Sequence, residues 1–183
     1  MQKITLFGAD SNRKTKSEKD MNNTNNKLIS FLSFSLGKEI FAIEVKNVLS
    51  IIEPKTITKV PQSQDYLIGM INLRGEALPL IDLQVKIAKT KTVITKESCI
   101  LVIQNEQDGE EIKLGVLVDA VHDVLEINES EINEPPRIGV KKAAAYIKGS
   151  WQQNDRFILL MNLKQALFTE DLEKINILED TLI

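Results

Sequence analysis

The sequence predicts a mainly β protein, built as two small β-barrel lobes that share a core, with short helices and a helical C-terminal end. Two observations predict it. The segment YLIGMINLRGEALPLIDL (66–83) aligns without a gap on YIKGSWQQNDRFILLMNL (146–163). Tyr66 then stands over Tyr146, Gly69 over Gly149, Leu80 over Leu160, and Asp82-Leu83 over Asn162-Leu163. A second block, FAIEVKNVLSII (41–52), aligns on LGVLVDAVHDVL (114–125) at an offset of 73 rather than 80, with Val45 on Val118 and Val48 on Val121. Two blocks repeated in the same order indicate two units of one architecture, and two copies are too few for a solenoid. Short strands between turns, with few and brief helices, fit small barrels better than a parallel α/β sheet.

Taken in order, residues 1–26 are polar after the first few positions and rich in Asn, Lys and Ser, with Met21 near their end as an alternative start. They bury too little to offset ordering, so a disordered tail is expected before a folded unit at 27–168. Leu32–Leu36 alternates like a half-buried strand, Gly37-Lys38 turns the chain and EIFAIE returns it. In VKNVLSII the apolar residues fall at 45, 48, 49 and 52, a helical spacing. Pro54 and Pro61 bracket an extended piece, TITKV. YLIGMINL then reads as a strand, Arg74-Gly75 as a tight turn and EALPLI as the returning strand. Pro79 cannot donate to a ladder, which places that strand at an edge or a bulge.

Residues 84–97 read as a short helix and a crossing into the second lobe. That lobe opens with SCILVIQ, turns at Gln107-Asp108-Gly109 and returns as EIKLGVLVD, apolar at 112, 114, 116 and 118. VHDVL repeats the helical piece, EINESEINEPP makes a polar connection, and a second strand-turn-strand carries Asn154-Asp155 at its tip. The end of the chain is expected to be helical, with Leu163, Leu167 and Leu172 on one face and 169–183 as a helical tail.

Composition narrows the function. Twenty-three basic and 26 acidic residues give a net charge of −3, which argues against a broad basic face for nucleic acid, although a local patch escapes such a count. Cys99 is the single cysteine, so no internal disulfide forms, and its apolar run suggests a buried reduced thiol. No apolar stretch approaches the ~20 residues of a membrane span, and no signal-peptide pattern opens the chain, so a cytoplasmic location is expected.

The inventory for catalysis is thin. The single histidine, His122, has Asp123 beside it, but adjacent residues on a helix point in different directions. One cysteine and one histidine are too few for a thiolate-imidazole zinc site, and none of the eight glycines belongs to a GxxxxGK loop. Glu126, Glu129, Glu131 and Glu134 lack the alternation and central glycine of a calcium loop. They read as a solvated connection whose Ile127 and Ile132 touch the core. No catalytic residue, cofactor or metal is expected. The rival from another class is a carboxylate-dependent hydrolase using this acidic run and Asp82. What remains is surface: the turn at Arg74 carries a cation where its twin has Asn154, and arginine is a favoured interface residue.

The strings FLSFSLGKEIFAIEVKNVLSII, VPQSQDYLIGMINLRGEALPLIDL, KLGVLVDAVHDVLEI and AYIKGSWQQNDRFILLMNLKQAL together resemble a CheW-type chemotaxis coupling protein over about residues 28–168. The specific part is GxxNLRGxxxPxxDL, from Gly69 to Leu83. The resemblance implies two five-stranded SH3-like barrels and a non-catalytic adaptor. Its implied partners are the cytoplasmic tips of methyl-accepting chemoreceptors and the regulatory domain of a CheA-type histidine kinase. No nucleic acid or membrane insertion is implied, and the free protein is expected as a monomer ordered in receptor arrays. By resemblance, Arg74, Val48, Ala77, Cys99 and Ser50 fall on the receptor side. Ile51, Ile52, Glu53 and Lys55 fall in the kinase-contacting region, and Pro136 and Ile138 at a ring contact. Two departures stand out. Ser50 replaces an acidic residue usual in the family, which leaves a coupler of a parallel pathway, such as twitching or biofilm control, as the alternative. Trp151 and Gln152-Gln153 stand where the first lobe has INL.

Overall fold

Apolar alternation and turn chemistry give ten strands and two short helices in the computed structural model, which describes residues 27–107, 110–135 and 146–168. In chain order these are β1 (Leu28–Leu36), β2 (Glu39–Glu44), β3 (Val48–Ile52), β4 (Leu67–Leu73), β5 (Glu76–Asp82), α1 (Leu83–Ala88) and β6 (Cys99–Gln107). They continue as β7 (Glu110–Val118), β8 (Ala120–Asn128), β9 (Ile147–Gln153), β10 (Arg156–Met161) and α2 (Leu163–Phe168). Single 3-10 turns occupy Val45–Asn47 and Glu129–Glu131. The expected tails at 1–26 and 169–183, with Leu172, lie outside the described residues.

The strands form two five-stranded sheets, in the orders β8-β1-β2-β10-β9 and β3-β6-β7-β5-β4. This corrects the expectation that the second lobe opens at Ser98. Each barrel takes two consecutive strands from one half of the chain and three from the other. The exchange is made by two antiparallel pairings, β1 with β8 and β3 with β6, and by two parallel ones, Leu80 with Gly115 between β5 and β7 and Leu160 with Ala42 between β10 and β2. The parallel pairs superpose under the two sequence offsets (80 to 160, 42 to 115), so the repeat is a structural pseudo-two-fold.

Burial follows the same plan. Ile71, Leu78, Leu80, Ile100, Val102 and Leu117 fill the first barrel, while Phe31, Ala42, Ile127, Ile158 and Leu160 fill the second. A larger third cluster lies between the barrels. It joins Phe34, Phe41 and Ile43 of one sheet to Leu101, Ile103 and Val116 of the other, and to Leu83, Leu163 and Leu167 of the helices.

The residues shared by the repeat each have a physical task. The carbonyl of Tyr66 accepts from the amide of Asp82, and that of Tyr146 from Asn162, both at 2.8 Å. The Asx side chains then cap the helices: Asp82 Oδ1 accepts from Val85 N at 3.1 Å, and Asn162 Oδ1 from Gln165 N at 3.2 Å. A short extended segment, joined by a single bridge, passes close over each glycine. A β-carbon on Gly69 would lie 2.3 Å from the Thr58 carbonyl oxygen, and one on Gly149 would lie 2.6 Å from that of Asn133.

Three expectations need correction. Of the pieces read as helical, VKNVLSII is a 3-10 turn at Val45–Asn47 followed by strand β3, and VHDVL lies within strand β8. Each carries an extra residue, between Val48 and Ser50 in β3 and between Val121 and Val124 in β8. A β-bulge inserts one residue into a period of two and thereby imitates helical spacing. Pro79 lies in an interior strand, where it is tolerated because the ladder with β7 begins one residue later, at Leu80. Cys99 is half-buried rather than buried, packed against the shared core with its thiol 3.4 Å from the Glu97 carbonyl.

Candidate functional site

Leu73 pairs with Glu76, which leaves Arg74-Gly75 as a two-residue hairpin loop with φ of 54° and 92°. Two positive φ values are the requirement of a type I′ turn, whose twist matches the flanking strands. Gly75 meets it without cost, and its amide donates to Asn72 Oδ1 at 2.9 Å. Arg74 does not: a left-handed conformation costs a residue with a β-carbon roughly 1–2 kcal/mol. Its twin Asn154 holds the same φ of 54° with a side chain suited to that region. The turn therefore carries an arginine against its own conformational preference. Arg74 is exposed, Ala77 is exposed two residues into β5 opposite Asn72, and Glu76 lies 3.9 Å from Lys113.

A second surface is formed by β3, an edge of its sheet. Leu49 and Ile51 are 50% and 45% exposed there, with exposed Ser50 between them. Val48 and Ile52 are half-buried, Val48 against the shared core and Ile52 against the first-barrel core. Glu53 and Lys55 continue from the strand as exposed charges.

The register groups the sequence-predicted residues into two sets. Arg74 and Ala77 share the β4–β5 hairpin, while Val48, Ser50, Ile51 and Ile52 share β3. Cys99 belongs with the far end of β3, since it adjoins Ile100, the partner of Ile52, and pairs with Val118. Pro136 and Ile138 lie outside the described residues. Sequence reasoning missed Leu49, because the helical reading hid an exposed edge strand. It also missed Val124 and Phe157, 56% and 57% exposed. The offsets of 73 and 80 place them over Ile51 and Ala77, a signal that could have found them.

The groups weighed for catalysis are held by the fold. Asp82 is buried and accepts from Val85 N, Thr92 N and Thr92 Oγ1, at 3.1, 2.9 and 2.9 Å. Glu126 accepts from Ser30 and Glu131 from the Trp151 indole, and Ile127 is fully buried beneath them. His122 Nε2 meets Ser35 Oγ at 2.6 Å, with His122 exposed and Ser35 half-buried. Beside the seam between the barrels, Glu44 takes Lys46 on one oxygen and Lys148 on the other. Burial acts to raise the Glu44 carboxyl, yet the two lysines outweigh it and hold the group below its ordinary 4.5.

A family model for the CheW-like domain matches residues 30–170. The chain belongs to the CheW-like family. Among its relatives, the chemotaxis protein CheW of Klebsiella aerogenes is 31% identical over 142 residues, covering 78% of this chain and 83% of that protein. The CheW of Bacillus subtilis is 34% identical over 134 residues, covering 73% and 83%. The crystal structure of the scaffolding protein TtCheW from Thermoanaerobacter tengcongensis superposes with a TM-score of 0.68 at 29% identity, covering 81% of this chain and 93% of that one. The CheW-like match spans both barrels, so it includes the Arg74 turn and the β3 edge alike. No described helix is long and apolar enough to cross a membrane.

Proposed function

We propose that this CheW-like chain is a chemotaxis coupling adaptor that holds chemoreceptors and a CheA-type histidine kinase in one geometry, without chemistry of its own. The observation that carries the reading is the correspondence over residues 30–170 to a family whose curated relatives are chemotaxis proteins. Two exposed surfaces on one rigid barrel support it, because an adaptor needs separate faces for separate partners. The Arg74 hairpin is assigned to the receptor, as its strained arginine has no task in the fold that Asn154 does not perform without it. The β3 edge, with Leu49, Ile51, Ile52, Glu53 and Lys55, is assigned to the kinase. Val48 and Ser50 lie in that same strand, and with Ala77 and Cys99 they are assigned, as the resemblance implies, to the receptor side. Pro136 and Ile138 are assigned to a ring contact.

Each contact in such a scaffold needs only micromolar strength, about −8 kcal/mol, because array neighbours make later binding events local. The test is calorimetric titration with the regulatory domain of the host's CheA-type kinase, with Arg74→Glu run in parallel. Micromolar binding unchanged by that substitution, with receptor binding lost, is the expected result. Absence of binding to every such kinase in the host overturns the reading.

A further inference from the structure

We propose that the acidic stretch following α2, residues 169–183, docks on the basic loop that joins α1 to β6. The loop, KTKTVITKES (89–98), is the local basic patch that a net charge of −3 conceals. Lys89, Lys91 and Lys96 are exposed, against the single acid Glu97. Between these lysines Val93 and Ile94 are 76% and 50% exposed, two β-branched side chains held in water.

They are not there through slackness of the chain. Thr92 is fastened to buried Asp82 by its amide and its hydroxyl, each at 2.9 Å. On the other side the Thr95 amide donates to the buried Ser98 hydroxyl at 2.9 Å, and the Ser98 amide returns to the Thr95 carbonyl at 3.2 Å. Side-chain anchors on both flanks thus present an apolar tip framed by cations, with much of the ordering cost of docking already met.

Residues 169–183 have the complementary character. Glu170, Asp171, Glu173, Glu179 and Asp180 stand against one base, Lys174, and alternate with Leu172, Ile175, Ile177 and Leu178. Both segments leave the same place in the fold: Leu83 of α1 and Leu163, Ala166 and Leu167 of α2 belong to the one shared core. The offset of 80 sets Lys91 over Asp171, so pseudo-equivalent continuations of two packed helices carry opposite charge. Fifteen residues reach at most about 50 Å, several times the ~9 Å length of either helix. The inference stands apart from the adaptor reading and fails or holds independently of it.

The test compares amide NMR spectra of the full chain, of the chain ended after Phe168, and of Lys89→Glu/Lys91→Glu. The strand resonances serve as the control for folding. Val93 and Ile94 are expected to shift between the full and shortened chains, independently of protein concentration. The shift should be lost in molar salt, where screening acts within about 3 Å, and lost in the charge-reversed loop. Adding Glu170→Lys/Asp171→Lys to that loop variant should restore it. Identical loop resonances with and without residues 169–183 overturn the proposal. So does a shift that dilutes away, which would put a second copy on the loop, or one indifferent to salt and charge reversal.

Discussion

Arg74 and Asn154 occupy the same position of the same hairpin with the same φ of 54°, and they separate fold from function at a single residue. Arg74→Asn should raise stability by about 0.5–1 kcal/mol in thermal denaturation, because asparagine tolerates the left-handed region. The same change should weaken receptor binding about tenfold or more in a pull-down titration, as loss of an interface arginine does. A variant more stable and equally competent would leave the arginine without a role. Glu44 makes a pH prediction of the same scale. Its folded carboxyl lies below its ordinary 4.5, so its contribution is complete above the unfolded value and is lost as pH falls through the folded one. Glu44→Gln should therefore unfold with a shallower loss of stability below about pH 4.5 than the native chain. The difference should stay within about 1 kcal/mol, because both lysines are solvent-exposed.

The repeated helix caps and glycine crossings belong to the scale of elements. The Asp82 side chain caps α1 and also fastens Thr92, whereas the Asn162 side chain makes only its helix cap among the described hydrogen bonds. Asp82→Ala should thus cost about 2 kcal/mol or more by urea denaturation, and Asn162→Ala about 1 kcal/mol. Equal losses would mean that the loop anchor adds nothing. Gly149→Ala tests the close crossing of the chain there, since its φ is not among the positive ones and an added β-carbon would meet the Asn133 carbonyl oxygen at 2.6 Å and Ile132 Cγ2 at 2.7 Å. A loss of about 1–3 kcal/mol is expected from the forced backbone shift. Much at this scale was legible: the hairpins and their turn residues follow from local chemistry, whereas the repeated Asx residues showed themselves as helix caps only in the structure. The strands β3 and β8 were not, because a bulge and outward-facing apolar residues gave Val48, Leu49 and Ile52 the spacing of a helix.

At the scale of the molecule, neither half of the chain holds a complete barrel. The sheet containing β1 and β2 is completed by β8, β9 and β10, and the sheet containing β6 and β7 by β3, β4 and β5. Fragments 27–97 and 98–168 should each be unfolded alone by circular dichroism, and should recover β structure when mixed. A fragment that folds by itself would contradict the interleaved core. Unfolding of the intact domain should be a single transition, since the cluster around Phe34, Ile43, Leu101 and Val116 belongs to both sheets.

The sequence by itself determined that there are two related units, where their hairpins turn, and which family they belong to. Each of these depends on neighbouring residues: glycine at a tight turn, alternation where a strand is half-buried, a repeated string that aligns without a gap. Which strand completes which barrel was decided only in three dimensions. Parallel pairings of Leu80 with Gly115 and of Leu160 with Ala42 leave no local mark, because both partners read simply as apolar strand. The grouping of candidate residues was decided there too. Cys99 and Arg74 read as one site in the sequence, and the folded sheet places them on β6 and on the β4–β5 hairpin with β7 between.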